Sequence, residues 1–454
     1  MSALLTEQKT ITSVKLRTGA WYGDYDIKLP IFPGWEIEIQ EPQTPPPLTD
    51  QQIVNILDQP VGQGSFREIC KGKKRPLIIV DDLNRPTPVD RVMPHLLTIL
   101  ANAGISTGDI SIIMATGSHG EPGPNALLKK VGPAAASSCR LIVHNCFRDV
   151  KKIGKTSFGT PVFMNKAVLE SDLVLGIGGI YPNNTAGFGG GTKLALGILG
   201  IRSIYYLHFR HKMAGWGGGR VHNSFRDDLN EIAEMIGMKT TISMLINAGR
   251  DIVQLYCGDF LQYFPEAVSF SRKTFRAPRA TDADVIISNT YPNDLSLTFA
   301  KAKGFIPFKD CRPHATRIAI AACPEGIGLH NIFPFTYVST AHRIRHILLR
   351  LSVMPLNEMF SKLTKALRQK ISRFFHRKSM NSPAAPEDKK NIRRSIWLYR
   401  PGKHHTTLPE QLPGIKIATQ WSQILQAIRS EQGYPKHLKV MIYPCAFLQF
   451  LEEK

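Results

Sequence analysis

The sequence predicts an α/β fold, with two α/β domains whose sheets are largely parallel and with a cleft between them. Three observations predict it. Apolar segments such as residues 77–81 are typical of strands buried on both faces of a parallel sheet. Segments with helical periodicity, such as residues 89–101, alternate with these strands. The length of 454 residues is enough for two or three domains.

The alternation divides into two series. We predict an N-terminal α/β domain that binds a cofactor over residues 1–275 and a C-terminal α/β domain that closes a substrate cleft over residues 276–454. The strands predicted after 77–81 are 110–115, 141–144, 173–177, 240–246, 285–288, 317–322, 396–399 and 438–443. The later predicted helices are 225–236, 295–303 and 421–428.

The net charge of +21 raises the question of an anionic partner, and much of the excess lies in residues 362–377 and 389–405. Because no nucleic-acid-binding signature accompanies it, we expect no nucleic acid partner. A solvated basic face, attraction for anionic substrates and a polyanionic surface remain possible. We predict a basic amphipathic insertion near residues 354–395. Its apolar spacing over 354–377 fits a helix packed on its own domain or one lying on a membrane surface.

The sequence predicts a cytoplasmic protein. It contains no apolar run long enough for a transmembrane helix, and its first residues do not resemble a secretory signal. The seven cysteines are dispersed without a C-x-x-C pair, which favours reduced thiols and argues against a structural zinc site.

Two polar segments directly follow predicted strands, where ligands bind in parallel sheets. In the first, Asp82 and Arg85 could orient a polar ligand, or an aspartate–arginine pair could simply hold a turn. In the second, the turn at 115–120 contains His119, which could act as an acid or base near neutral pH or could be structural.

A glycine-rich turn at 187–193 and two later histidines are the other candidates. The turn runs into a helical segment and could hold a phosphate, but Thr192 precedes Lys193, so it is not a P-loop. Lys193 could serve as an amine nucleophile or phosphate partner, although a tight structural turn would explain the glycines equally well. His208 and His211 have the spacing to share a helix face and meet a metal, or to be surface histidines.

Together and in this order, these segments resemble the nickel-pincer lactate racemase family. The similarity covers residues 77–259 and 282–328 approximately. Its specific part is the set formed by the D-x-x-R-P loop at 82–86, the A-T-G-[ST]-H turn at 115–119, the G-G-x-K turn at 190–193 and the histidine that follows. Any one of these motifs is weak evidence, whereas four in sequence are specific.

The resemblance implies a racemase or epimerase, an isomerase that inverts a 2-hydroxy acid by reversible hydride transfer. The implied cofactor is a nickel pyridinium bis-thiocarboxylate mononucleotide, the nickel-pincer nucleotide, joined covalently to a lysine. The matching positions are Lys193 for the covalent link, Gly189, Gly190, Gly191 and Thr192 around the cofactor, His208 (or else His211) for nickel, His119 for the base, Asp82 and Arg85 for orienting the base, cofactor or substrate carboxylate, and Lys303 for the substrate. Imidazole suits Ni(II) as a ligand.

Two departures from the family pattern bear on the substrate. The family's Pro-His pair, which supplies a second acid or base, is Pro182-Asn183 here, and an asparagine cannot accept a proton. A substrate-contacting glutamine is replaced by Ala300. We therefore expect a small 2-hydroxy acid other than lactate, with Asn183 still at the catalytic position. The replacement base is open among His144, Tyr181 and His222. The alternative function is a homologue that keeps the cofactor pocket without racemisation, either a 2-hydroxy acid redox enzyme or a binding protein.

Overall fold

The computed structural model describes residues 13–215, 219–332, 395–402, 412–433 and 437–451, together with positions 340, 344, 347, 348, 408 and 409. Almost all of the predicted amphipathic insertion, including its helical stretch at 354–377, lies outside the described residues. Within the described part of the chain, no helix is both long enough and apolar enough to cross a membrane.

A six-stranded sheet, here called the first sheet, forms the centre of the N-terminal half. In spatial order its strands are Ile252–Asp259, Thr240–Ile246, Leu173–Gly179, Pro76–Asp81, Ser111–Ala115 and Arg140–Val143. All neighbouring pairs are parallel except Ile252–Asp259 with Thr240–Ile246, which is antiparallel. Residues of Pro76–Asp81 contribute alternately to two hydrophobic clusters, one on each face of the sheet. This double burial explains why that strand is apolar without interruption.

A second six-stranded sheet is parallel throughout and is called the second sheet below. In spatial order its strands are Ile415–Ala418, Ile396–Tyr399, Thr316–Ile320, Val285–Asn289, Lys439–Tyr443 and Glu36–Ile39. The predicted boundary near residue 275 groups the strand Glu36–Ile39 with the first domain, whereas the strand pairing places it in the second sheet.

Helices cover the sheets and connect their strands. The α-helices that lie wholly within the continuous described segments are Asp50–Asp58, Phe66–Ile69, Val89–Asn102, Ala126–Val131, Pro133–Ser138, Lys166–Glu170, Ile201–Arg210, Ser224–Met235, Phe260–Thr274, Leu297–Gly304 and Trp421–Gln432. The 3-10 helices are Thr107–Asp109, Gly191–Ile198 and Ile306–Phe308. Small two-stranded sheets pair Ser13–Thr18 with Tyr25–Pro30, Val150–Lys155 with Pro161–Asn165, Pro182–Asn183 with Gly187–Phe188 and Arg276–Ala277 with Phe450–Leu451.

The fold class expected from the sequence, α/β with two largely parallel sheets, is confirmed. The predicted strand 240–246 is observed with identical bounds, and the predicted helix 225–236 is observed one residue earlier, as Ser224–Met235. The helical segment expected after the glycine-rich turn is a 3-10 helix, Gly191–Ile198.

Candidate active site

A cavity of about 370 Å³ lies where the strands Pro76–Asp81, Ser111–Ala115 and Leu173–Gly179 end. This volume is in the range of small-molecule sites, and the carboxyl edge of a parallel sheet is where such sites form. Its walls include residues from both halves of the chain. The ionisable and amide side chains in the wall are Asp81, Asp82, Arg85, His119, Tyr181, Asn183, Asn184, Lys193, His208, Asn293, Lys303 and His330.

The loop after Pro76–Asp81 is fixed by a buried lysine that the motif did not predict. Lys130 Nζ is 2.8 Å from Asp81 Oδ1 and also donates hydrogen bonds to the carbonyl oxygens of Arg85 and Thr87. Thr87 Oγ1 donates to the other Asp81 oxygen at 2.5 Å. Asp81 therefore holds the loop in shape, and the neighbouring aspartate is left to act on the cavity.

Asp82 and His119 form a carboxylate–imidazole pair. Asp82 Oδ2 is 2.5 Å from His119 Nδ1 and also accepts a hydrogen bond from Asn84 Nδ2. Burial opposes ionisation of Asp82, but His119 and Arg85 hold the pKa of that carboxyl well below its usual range. Burial lowers the pKa of His119, although the Asp82 carboxylate acts in the opposite direction. A neutral His119 then donates from Nδ1 to the carboxylate and keeps the lone pair on Nε2, which is the arrangement of a general base.

Lys193 lies in the wall of the same cavity, at the start of the 3-10 helix Gly191–Ile198. Burial, together with the positive charges of Arg85 and Arg226, lowers the pKa of its amine to about 7. Among the described residues, no hydrogen bond or ion pair engages Lys193 Nζ. A large fraction of this amine is therefore neutral and nucleophilic at physiological pH.

The glycines before Lys193 are required by close packing of the turn. Gly190 and Gly191 have φ of +77° and +54°, and a Cβ on Gly191 would meet the Phe260 ring at 1.7 Å. Of the four residues expected around a cofactor, Gly190 lines the cavity, whereas Thr192 donates its hydroxyl proton to Asn230 Oδ1. The guanidinium of Arg226 donates to the turn carbonyls, including that of Phe188.

His208, rather than His211, lies at the cavity among the described residues. His208 belongs to the helix Ile201–Arg210, and its Nδ1 donates to the Ile204 carbonyl at 2.7 Å. Burial lowers its pKa to about 4, so the ring is neutral at pH 7 with the lone pair on Nε2. His211 instead pairs with the buried Asp228, with 2.6 Å between Nε2 and Oδ2.

Arg85 and Lys303 reach the cavity from opposite halves of the chain. The Arg85 guanidinium donates to the Asn84 carbonyl and lies 5.9 Å from the centre of the Tyr181 ring. Lys303, on the helix Leu297–Gly304, donates to the Pro182 carbonyl at 2.5 Å. Burial, with Arg85 and Lys193 nearby, places the pKa of Lys303 well below its ordinary value. Ala300 on the same helix packs in the hydrophobic core instead.

Asn183 lines the cavity, but its side-chain oxygen is committed to its own turn. Asn183 Oδ1 accepts hydrogen bonds from the backbone N–H groups of Thr185 and Ala186 and from the Thr185 hydroxyl. This is an Asx turn, a common local use of asparagine. The residue thus shapes the hairpin Pro182–Asn183/Gly187–Phe188 and has no group that takes up a proton.

The three residues suggested as a replacement base are poorly placed for that role. Both ring nitrogens of His144 are bonded, to the Leu199 carbonyl and the Asn165 amide, and burial lowers its pKa to about 4. His222 lines a different pocket, beside the helix Phe260–Thr274. Tyr181 does line the cavity, but burial raises the pKa of its hydroxyl far above neutrality.

His330 lines the cavity and was not identified from the sequence. Its ring centre lies 5.2 Å from that of His119, and the two residues form an isolated antiparallel bridge. The sequence signal that could have found it is its position two residues beyond Gly328, directly after the family-like segment ending there.

Comparison with known protein families and sequences shows that this chain is similar to lactate racemases. The family model for the lactate racemase N-terminal domain matches residues 22–217. The chain is 28% identical over 299 residues to the lactate racemase of Lactiplantibacillus plantarum, covering 63% of this chain and 70% of that protein. It is 25% identical over 291 residues to the lactate racemase of Thermoanaerobacterium thermosaccharolyticum, covering 62% and 68%.

Solved structures share the fold over nearly the whole chain. The lactate racemase apoprotein from Thermoanaerobacterium thermosaccharolyticum superposes with a TM-score of 0.64 at 17% identity, covering 97% of this chain and 100% of that one. A Thermotoga maritima protein superposes with a TM-score of 0.57 at 16% identity, covering 90% and 100%. The fold is therefore common to this chain and both solved structures.

We predict that Lys193 reacts with amine reagents already near neutral pH. A reagent that reacts with neutral amines should label it with a midpoint near pH 7 and a plateau above about pH 8, because its pKa is lowered to about 7. Nα-acetyl-lysine in the same reaction should gain reactivity up to about pH 10. Peptide mass spectrometry measures both profiles. Identical profiles for Lys193 and the free control would contradict the lowered pKa.

Proposed function

We propose that the chain, a divergent member of the lactate racemase family, is a racemase or epimerase of a small 2-hydroxy acid. Its proposed cofactor is a nickel-pincer nucleotide bound covalently to Lys193. The relationship to lactate racemases supports racemase function in general. The cofactor, the residues that hold it and the substrate are proposals that rest on the side chains at the cavity.

One observation carries the proposal: a nucleophilic amine and two neutral imidazoles line the same cavity. Lys193 has its pKa lowered to about 7, His208 keeps a lone pair on Nε2, and His119 is oriented by Asp82. A covalent tether, a metal ligand and a general base are three roles that need these protonation states. Their occurrence in one small cavity favours a single site that uses all three.

The residues present fit the proposed cofactor. The described residues hold no cluster of three or more histidine, cysteine, aspartate or glutamate side chains that could bind a metal unaided. A single imidazole such as His208 therefore suits a metal whose other ligands belong to a bound organic group. Lys193 would form the covalent link, and the neighbouring Arg226 would add positive charge near a phosphate. When bound, this cofactor supplies an acceptor for the hydride of the substrate carbon.

The chain's own residues handle the proton and the carboxylate. His119 Nε2 would take the hydroxyl proton as the carbonyl forms, and Asp82 would stabilise the resulting imidazolium. Arg85 is suited to a bidentate contact with the substrate carboxylate. Lys303 would approach from the second-sheet side, where its amine now donates to the Pro182 carbonyl.

The substrate is proposed to be a 2-hydroxy acid larger than lactate. Asn183 stands where the family has a histidine, and Ala300, which stands where the family has a substrate-contacting glutamine, packs in the core and leaves no polar contact in its place. The cavity wall contains the apolar side chains of Phe299, Met213 and Phe447. Such a wall would bury an apolar side chain longer than a methyl group favourably.

We predict a covalent adduct at one position when the full chain is produced together with the cofactor's biosynthetic enzymes. The intact mass should exceed the unmodified mass by that of the nucleotide, with one nickel per chain by elemental analysis. Lys193→Ala should abolish the adduct, whereas Lys166→Ala, at an exposed lysine, should retain it. Unmodified mass in the wild-type protein under these conditions would rule out the covalent cofactor.

We also predict inversion of at least one 2-hydroxy acid without exchange of the hydrogen on its reacting carbon. In deuterated water the inverted product should retain protium there, because a transferred hydride does not exchange with solvent. His119→Gln should lower kcat by about 10²–10⁴-fold, the usual contribution of a general base. His222→Gln, outside the cavity, should change it by less than about twofold. Chiral chromatography with mass detection measures both quantities.

The pattern of products also distinguishes the alternative function. Deuterium at the inverted carbon would refute hydride transfer. Release of the keto acid with no inversion of any acid in the panel would instead support a homologue that lost racemisation, in keeping with the turn-forming role of Asn183.

A further inference from the structure

His330 is held beside His119 by backbone contacts between two distant segments. The amide of Gly120 donates to the Leu329 carbonyl at 3.1 Å, and the amide of Asn331 donates to the Ser118 carbonyl at 2.8 Å. The Asn331 side chain donates to the same Ser118 oxygen. The segment carrying His330 is thus joined on both sides to the turn carrying His119, which fixes the two rings relative to each other.

The two imidazoles have opposite tautomers. The backbone N–H of Ile332 donates to His330 Nδ1 at 3.2 Å, so Nδ1 carries the lone pair and the proton of the neutral ring is on Nε2. In His119 the proton is on Nδ1, which faces Asp82, and the lone pair is on Nε2. One ring can therefore accept a proton at Nε2, and the other can donate a hydrogen bond from Nε2.

The surroundings of His330 keep it neutral. Burial, with His119, His208 and Arg85 nearby, lowers its pKa well below the usual value, although Asp82 opposes the shift. The centre of the Phe299 ring lies 4.5 Å from the centre of the His119 ring and 6.0 Å from that of the His330 ring. All three side chains line the cavity. A neutral histidine of this kind acts as a hydrogen-bond donor to an oxygen on which negative charge develops.

We propose that His330 is a second catalytic histidine, which donates a hydrogen bond from Nε2 to the substrate hydroxyl oxygen whose proton His119 accepts. The inference rests on the proposed function for the identity of that substrate. In the step, the O–H bond breaks and its proton moves to His119 Nε2, while the carbon gives up its hydride to the acceptor that the proposed cofactor would supply. His330 keeps its own proton throughout. Asn183 need not be replaced by a second base, because the second group required is a donor.

The donor and acceptor pattern matches both forms of the substrate. A hydroxyl group donates one hydrogen bond, here to His119, and accepts another, here from His330. The keto oxygen accepts from both rings once His119 carries the extra proton. With ring centres 5.2 Å apart, the two imidazoles are near enough to contact one ligand oxygen in the cavity. Removing such a donor from an enzyme commonly lowers kcat by about 10²–10³-fold.

The first test reads the tautomer directly in the full-length chain without cofactor. With ¹⁵N-labelled histidine, and with His330→Gln used to assign the signal, His330 should show a protonated Nε2 and an unprotonated Nδ1 at pH 7. A proton on Nδ1, or a charged ring, would overturn the inference. This readout needs neither substrate nor cofactor, so it holds even if the proposed function fails.

The second test compares His330→Gln, which keeps an N–H donor at the same reach, with His330→Ala, which removes it. Pyruvate and phenylpyruvate are titrated calorimetrically into the chain without cofactor, and kcat is measured in the loaded enzyme. We expect His330→Ala to weaken binding of a keto acid at least tenfold and to lower kcat about 10²–10³-fold, with His330→Gln within about tenfold of wild type in both.

The outcomes of the second test are separable. Equal losses in the two variants would mean that His330 acts as a base or only packs, and unchanged values in both would mean that it does not touch the substrate. Either result overturns the inference. The inference is also overturned if the wild-type chain binds neither keto acid. A wild-type enzyme that inverts no hydroxy acid refutes the proposed function instead, and keto-acid binding then still decides the role of His330.

Discussion

The burial of the Lys193 amine, next to two arginines and without an ion-pair partner among the described residues, is the constraint on which the proposed chemistry depends. A charged amine is costly in such a place, so its pKa falls to about 7 and the neutral nucleophile becomes available. The same excess of positive charge favours anionic ligands, and both a hydroxy acid and a nucleotide phosphate are anionic. A carboxylate bonded to Lys193 would remove both properties. Asp81 and Asp82 are instead bonded to Lys130 and His119.

The architecture explains how these groups come together. Parallel strands deliver their following loops to one edge of the first sheet, so that Asp82, His119 and the hairpin containing Asn183 meet there. The second sheet contributes the helix with Lys303 and the segment with His330. Because Asp82 holds the His119 ring and the Ile204 carbonyl holds the His208 ring, both imidazoles are oriented before any ligand binds.

Local patterns in the sequence were sufficient to predict the strand-and-helix alternation and the residues that directly follow strands. Asp82, His119, Lys193 and His208 all line the cavity, as the motifs suggested. What could not be predicted depends on contacts between segments far apart in the chain. Lys130 pairs with Asp81 across 49 residues, and no local pattern marks it as buried. His330 reaches His119 only because two loops pair through their backbones, and Asn183 could not be recognised from sequence as a turn former.

The most direct test of the central claim is a crystal structure of the cofactor-loaded enzyme, with diffraction measured on both sides of the nickel absorption edge. We expect one anomalous peak bonded to His208 Nε2 and continuous density from Lys193 Nζ to a group that contacts the same metal. Nickel at His211, or a Lys193 side chain without attached density in protein that contains nickel, would contradict the claim that one amine and one imidazole hold the same cofactor.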